Sequence, residues 1–284
     1  MHLRTLPGIV LALLVTACSG VTPPVTDASS GAATTVAASP STPSTASVSP
    51  VAPAIWQPKP GLSWQVQYSG TLVAGTALVV DVDGHETSAA TVASLKKAGK
   101  HVICYINAGG WEDWRPDKAA FPKAVIGDKL DGWPGERWLD IRAVDVLVPI
   151  MAARIDECAR KGFDAVDPDN MDGWQARSGF PLTQADTLTY LAALSEVAHT
   201  RGLAIGLKNG IEVLGDAAPL VEFAVNEECL TYHECSAYGP LLRSGKAVFH
   251  VEYRGSLKSI CARVPEGFST VRKHLDLGAW RKAC

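Results

Sequence analysis

The chain has 284 residues, a net charge of −3 and 47% apolar residues. That length accommodates one large domain or two small ones, and the mildly acidic balance gives no electrostatic basis for binding nucleic acid. No apolar run beyond the N-terminus is long enough to span a membrane.

Residues 1–18 read as an export signal. His2 and Arg4 precede an apolar run from Ile9 to Val15, which ends in Val15-Thr16-Ala17-Cys18. The run is too short for a membrane helix, and small residues before a cysteine resemble a bacterial lipobox. Acyl chains on Cys18 would anchor the protein to a membrane without a helix. The expectation is an exported bacterial lipoprotein on the cell envelope. Residues 19–54 are Thr, Pro, Ser, Ala, Val and Gly, with Asp27 as the single charge and no aromatic residue. Such a segment buries too little surface to offset its ordering entropy, so it reads as a disordered tether.

From residue 55 onward, short β-rich runs alternate with helical patterns. Strands are expected at Gln65–Tyr68, Ala77–Asp83, His101–Asn107, Trp138–Ile141, Phe163–Asp167, Ala204–Lys208, Phe223–Glu227 and Ala247–Tyr253. Helices are expected at Ser88–Ala98, Val144–Arg160 and Thr183–Thr200, each followed closely by a glycine suited to end it. Eight strands alternating with helices predict an α/β fold, a (β/α)8 TIM barrel over residues 55–284. A doubly wound open sheet is the alternative, weakened because no glycine-rich dinucleotide fingerprint follows an early strand.

Of the seven cysteines, Cys18 is assigned to lipid, which leaves an even number in an exported chain and favours disulfides. Six cysteines allow fifteen pairings, which the sequence does not decide; the preferred set is Cys229–Cys235, Cys261–Cys284 and Cys104–Cys158, the first two on proximity alone. No CxxC spacing occurs and the histidines are scattered, so neither a metal nor any other cofactor is expected.

Polar residues close most of the strands. They are Asp81 and Asp83, Tyr105 and Asn107, Asp140 and Arg142, Asp167 and Asp169, Lys208 and Asn209, Glu227 and Glu228, and Glu252 and Tyr253. In a barrel those ends gather on the face where active sites are built. Asp167 and Asp169 share one side of their strand, and paired carboxylates at one strand end are tolerated mainly where chemistry or a cation needs them. Trp111, Trp114, Trp133, Trp138 and Trp174 fall in the loops of that same face. Indole faces stack on sugar rings and on cations, so carboxylates beside tryptophans point to a glycan and to glycoside hydrolysis.

Phe163–Gly173, which contains Asp167-Pro168-Asp169-Asn170-Met171-Asp172-Gly173, resembles glycoside hydrolase family 114. So do Trp138–Arg142, Leu207-Lys208-Asn209 and Phe223–Cys229. The resemblance runs from about Trp56 to Tyr253. It implies a (β/α)8 fold and endo-cleavage of partly N-acetylated α-1,4-galactosamine polymers, the work of endo-α-1,4-polygalactosaminidases. It also implies Asp169 as nucleophile, with Asp167 the alternative, and Glu227 as general acid. Asp83, Tyr105, Asn107, Asp140, Arg142, Asp167, Asn170, Trp174, Lys208, Asn209, Glu252 and Tyr253 are expected to bind substrate. Glucosamine-type amines are cationic near neutral pH, so Asp83, Asp167 and Glu252 would suit a polycationic chain. The expected partner is therefore a cationic galactosamine polysaccharide, met by a monomer. A hydrolase of neutral α-galactosides and an inactive carbohydrate-binding lipoprotein remain as alternatives, and retention against inversion stays open.

Overall fold

The computed structural model describes residues 54–284. The export signal, Cys18 and all of the tether except Ala54 lie outside those residues. The strands are β1 (Trp64–Gln67), β2 (Val79–Asp83), β3 (His101–Asn107), β4 (Gly110–Glu112), β5 (Ile126–Lys129), β6 (Glu136–Leu139), β7 (Ala165–Asp169), β8 (Ala204–Lys208), β9 (Phe223–Glu227), β10 (Ala247–Glu252), β11 (Phe268–Arg272) and β12 (Lys282–Ala283). The long helices are α1 (Ala89–Lys97), α2 (Val144–Lys161) and α3 (Gln184–Thr200). Nine strands form one sheet in the order β1-β2-β3-β7-β8-β9-β10-β11-β12, parallel throughout except for β12.

Alternation along the strands sorts their side chains onto two faces. Val79, Ile103, Ala165, Ala204, Phe223, Phe249 and Val271 fill the inside of the curled sheet, packed with Trp64. Val80, Val102, Val166, Ile205, Ala224 and Val248 face outward, in one core with Val92 of α1, Met151 and Ile155 of α2, and Leu191 and Leu194 of α3. Leu194 is fully buried, so Leu194→Ala would cost about 2–5 kcal/mol. The helices begin and end for local reasons. Thr183 and Asp186 form a reciprocal capping box at the start of α3, and α2 stops where Gly162 adopts a left-handed φ of 88°.

The three disulfides are Cys104–Cys158, Cys229–Cys235 and Cys261–Cys284, the expected set. The first ties β3 to α2, and a side chain at Gly84 would collide with its Cys104 sulfur.

Two expectations need correction. Trp138–Ile141 is not a strand of the main sheet. Glu136–Leu139 instead pairs antiparallel with β4 and β5 in a separate three-stranded sheet, built into the excursion between β3 and α2. The strand that takes its place in the main sheet is β11, hydrogen-bonded beside β10. No ladder joins β1 to β11 among the described residues. The C-terminal segment bridges them: Lys273 Nζ donates to Gln65 Oε1 (3.1 Å), Arg281 Nε to the Trp64 carbonyl (2.6 Å) and Tyr68 N to the Leu277 carbonyl (3.0 Å).

Candidate active site

The ladder places Tyr105 opposite Asp167 and Asn107 opposite Asp169, with β8 between β7 and β9. Inward-facing positions at the ends of β7, β8 and β9 are Asp169, Lys208 and Glu227. The Lys208 ammonium lies 3.3 Å from Asp169 Oδ1 and 3.5 Å from Glu227 Oε1. Burial alone would lower the Lys208 pKa. The carboxylates of Asp169, Glu227 and Asp167 outweigh it and hold the ammonium well above its ordinary range. Each carboxylate also accepts one phenol. Tyr105 OH donates to Asp169 Oδ2 and Tyr253 OH to Glu227 Oε1, both at 2.8 Å. Burial and the adjoining carboxylates push both phenols up, so they stay neutral donors.

The residue after each of these three strand ends has left-handed backbone: Asn170 (φ 60°), Asn209 (φ 52°) and Glu228 (φ 65°). Asparagine tolerates that region and glutamate does not, at a cost of about 1–2 kcal/mol. The asparagines also tie neighbouring strands. Asn209 Oδ1 accepts Glu227 N (2.9 Å), and Asn170 Nδ2 donates to Asn107 Oδ1 (2.9 Å).

Below this layer Asp167 is fully buried and accepts from Tyr68 OH at 3.3 Å. Asp81 is also fully buried, and neither of its oxygens has a hydrogen bond. Burial raises both carboxyls, Asp167 to about 7, and the mutual charge of the pair raises Asp81 further.

Above lies a cavity of about 660 Å³ with Asp169, Lys208, Glu227, Tyr68, Tyr105 and Tyr253 in its lining. The β3–α2 excursion supplies Trp114, Trp133 and Trp138, and the C-terminal segment supplies Leu275, Asp276 and Leu277. Other acids surround it. Arg115 grips Asp83 with two hydrogen bonds (3.1 and 2.6 Å) and Glu112 with one (2.8 Å). Glu136 accepts from Asn107 (2.9 Å), and burial with the Glu112 and Asp169 charges pushes it up to about 7. Burial and Asp169 push Asp172 up to about 6.

Of the residues expected to bind substrate, Asp83, Tyr105, Asn170, Lys208, Asn209 and Tyr253 line this cavity with Asp169 and Glu227. Asn107 sits behind it, bonded to Asn170 and Glu136. Asp167 is buried beneath it. Three expectations place residues where the structure does not. Asp140 and Arg142 pair with each other (2.7 and 2.8 Å) just past β6, outside the lining. Trp174 packs against the outer core, and Trp111 donates to the Lys118 carbonyl. Glu252 shares the outward face of β10 with His250, because its neighbour Tyr253 faces in. Its burial would raise its pKa, but hydrogen bonds from His250 and the Leu230 N–H hold it below the usual glutamate range. Sequence reasoning overlooked Tyr68, Arg115 and Glu136. Tyr68 carried a signal, since it closes the expected first strand as Tyr105 and Asn107 close the third.

Among the described residues, Cys229, Cys235 and His250 form a cluster with ligand-like spacing, but the two sulfurs are joined in a disulfide and offer no thiolate. No helix of the described residues is long and apolar enough to cross a membrane.

The crystal structure of Aspergillus fumigatus Ega3 in complex with galactosamine superposes with a TM-score of 0.77 at 37% identity, covering 81% of this chain and 98% of that one. The glycoside hydrolase domain of Pseudomonas aeruginosa PelA shares the fold, with a TM-score of 0.61 at 14% identity over 78% of this chain and 97% of that one. An uncharacterized protein of Deinococcus radiodurans is 28% identical over 197 residues, 61% of this chain and 62% of the relative's length. The model of glycoside-hydrolase family GH114 matches residues 45–284, and the chain belongs to that family.

Proposed function

We propose that this glycoside hydrolase cleaves within α-1,4-linked galactosamine polymers, partly N-acetylated, using Asp169 and Glu227. The observation that carries the proposal is the placing of these two carboxylates on either side of one buried ammonium, at the foot of a tryptophan-walled cavity. Ega3, the relative at 37% identity, was crystallised with galactosamine, which supports an amino-sugar substrate.

Asp169 attacks the anomeric carbon while Glu227 protonates the departing glycosidic oxygen. Glu227, now a carboxylate, then takes a proton from water, which displaces Asp169 and releases the sugar. The exposure of Asp169 to the cavity, against the complete burial of Asp167, supports Asp169 as the nucleophile. The two lysine distances, 3.3 and 3.5 Å, bound the Asp169 Oδ1–Glu227 Oε1 separation at 6.8 Å, their sum. Retaining enzymes hold their carboxyls about 5–5.5 Å apart and inverting ones about 6.5–9.5 Å, so the bound admits both outcomes, and the steps above are written for retention. The proposal extends to a (β/α)8 barrel closed at the C-terminal segment, acting as a monomer tethered to the envelope through lipid on Cys18.

The test is product analysis. Partly N-acetylated galactosaminan should yield new reducing ends and short oligomers, and neutral galactan none. Asp169→Asn and Glu227→Gln should each lower turnover by about 10²–10⁴-fold with circular dichroism unchanged. Equal cleavage of neutral galactan, or near wild-type rates from either variant, would overturn the reading.

A further inference from the structure

Glu252 is 2% exposed and His250 is fully buried, on the face of β10 turned away from the cavity. Neither lines the cavity, yet the Glu252 carboxylate grips the chain just after Glu227 at two points. Oε1 accepts the Leu230 N–H (2.8 Å) and Oε2 accepts Thr231 Oγ1 (3.0 Å). His250 Nε2 donates to the same Oε1 at 3.0 Å, and His250 Nδ1 lies 3.1 Å from Thr270 Oγ1. The carboxylate is thereby fixed by β10 and β11 while it holds the helical turn Cys229–Tyr232.

Between that turn and Glu227 stands only Glu228, in the left-handed region. A glutamate leaves that conformation unless its surroundings hold it there. Three further restraints bracket it: Glu228 N donates to the Val251 carbonyl (2.8 Å), Cys229 N to Asn226 Oδ1 (3.0 Å), and Cys229 is disulfide-bonded to Cys235. The Glu252 grip falls one residue further on and is the charged member of the set.

We propose that Glu252 is a positioning residue for the general acid: by clamping Leu230 and Thr231 it keeps the strained turn at Glu228 from relaxing and so holds Glu227 against the leaving oxygen. This rests on Glu227 being the acid, as proposed above. Glu252 lies outside the cavity lining, and its removal acts on the two steps that use Glu227, protonation of the leaving oxygen and activation of water.

That distinction sets the experiment. A galactosamine oligomer leaves as an alcohol and needs protonation, whereas the α-fluoride of a galactosamine trisaccharide releases fluoride without it. Glu252→Ala should lower kcat on the oligomer by about tenfold to a hundredfold with KM little changed. It should leave the first-turnover release of fluoride close to wild type. Glu252→Gln preserves the acceptor for Leu230 and should restore most of the rate. If Glu252→Ala does not fold, Thr231→Val carries the test, with a smaller loss confined to the oligomer. Equal losses on both substrates, or no loss on the oligomer, overturn the proposal. Glu227→Gln, measured alongside, separates the two ideas. If it loses the fluoride reaction as well, Glu227 is not the acid. If it spares fluoride while the folded Glu252 variant does not, the positioning role alone is wrong.

Discussion

Two acidic regions border the same cavity and are neutralised differently. Toward β2 and β4, Arg115 binds both Asp83 and Glu112, so each of these acids meets a guanidinium in fixed geometry. Toward β7–β9, one ammonium is divided between Asp169 and Glu227, and the buried Asp167 below adds a third acid. Counting acids would not tell these regions apart. The difference lies in the carboxylates left with lone pairs facing the cavity, where a sugar can meet them. Fork-shaped arginine pairs close off their acids, whereas a shared lysine holds two acids apart with a gap between them.

Three changes would break or sharpen that contrast. The largest effect is expected at the shared cation. Lys208→Met should lower turnover by about a hundredfold. It should also move the acidic limb of the pH–rate profile to higher pH, because the ammonium that favours ionised carboxylates is gone. An unmoved limb would mean that Lys208 only fills space. On the matched side, Arg115→Met should cost stability more than rate. It leaves buried Asp83 without its partner and Glu112 with only Arg154 at 3.8 Å, a loss of about 3–5 kcal/mol by denaturant titration, with less than about tenfold in turnover. The pH dependence follows from Asp83. Burial raises its pKa, but the Arg115 hydrogen bonds win and hold it below its ordinary value. That stabilisation is present above the unfolded value of about 4 and is lost as pH falls further, so the variant should show a flatter acid decline. Glu112, the second partner, moves the other way because its burial outweighs both arginines, so Asp83 carries the effect.

The smallest change is expected at Glu136→Gln. Glu136 is pushed up to about 7, so the folded protein holds its proton more tightly than the unfolded chain does. Wild-type stability therefore rises as pH falls from about 7 toward the ordinary glutamate value. Glutamine keeps the acceptor for Asn107 and should flatten that rise, leaving the variant a few degrees more stable than wild type at pH 8 by thermal melting. A melting curve that keeps the wild-type slope would assign it to Asp172 or Asp167 instead.

Much of the site was legible because alternation and strand-end position are local properties. Asp169 and Glu227 lie two strands apart, as read from the chain, and proximity along the chain pointed to Cys229–Cys235 and Cys261–Cys284, whereas nothing local fixes Cys104–Cys158, a pair made in space. The same alternation, carried one residue further, excludes Glu252 from a cavity that Tyr253 faces, since neighbours on a strand point oppositely. The other misplacements have a different origin. Trp138–Ile141 has the composition of a strand, but composition does not say whether its partner runs parallel or antiparallel, and β6 pairs within its own excursion. Phe268–Arg272 is short and mixed in polarity, so its place in the main sheet depends on β10, a contact made in space. Asp83 was read as a ligand for an amine because its arginine partner lies 32 residues away in the chain.

The way the sheet meets its own edge has a consequence for biosynthesis. Lys273, Leu277 and Arg281 join the C-terminal segment to β1, and the Cys261–Cys284 bridge fastens that segment in turn. Strands β1 to β10 can pair with one another first, but the wall carrying Leu275 and Asp276 cannot form until residues 273–284 have joined the sheet. A chain caught short of that point would present an unsealed edge to other chains, and its cavity would lack one side.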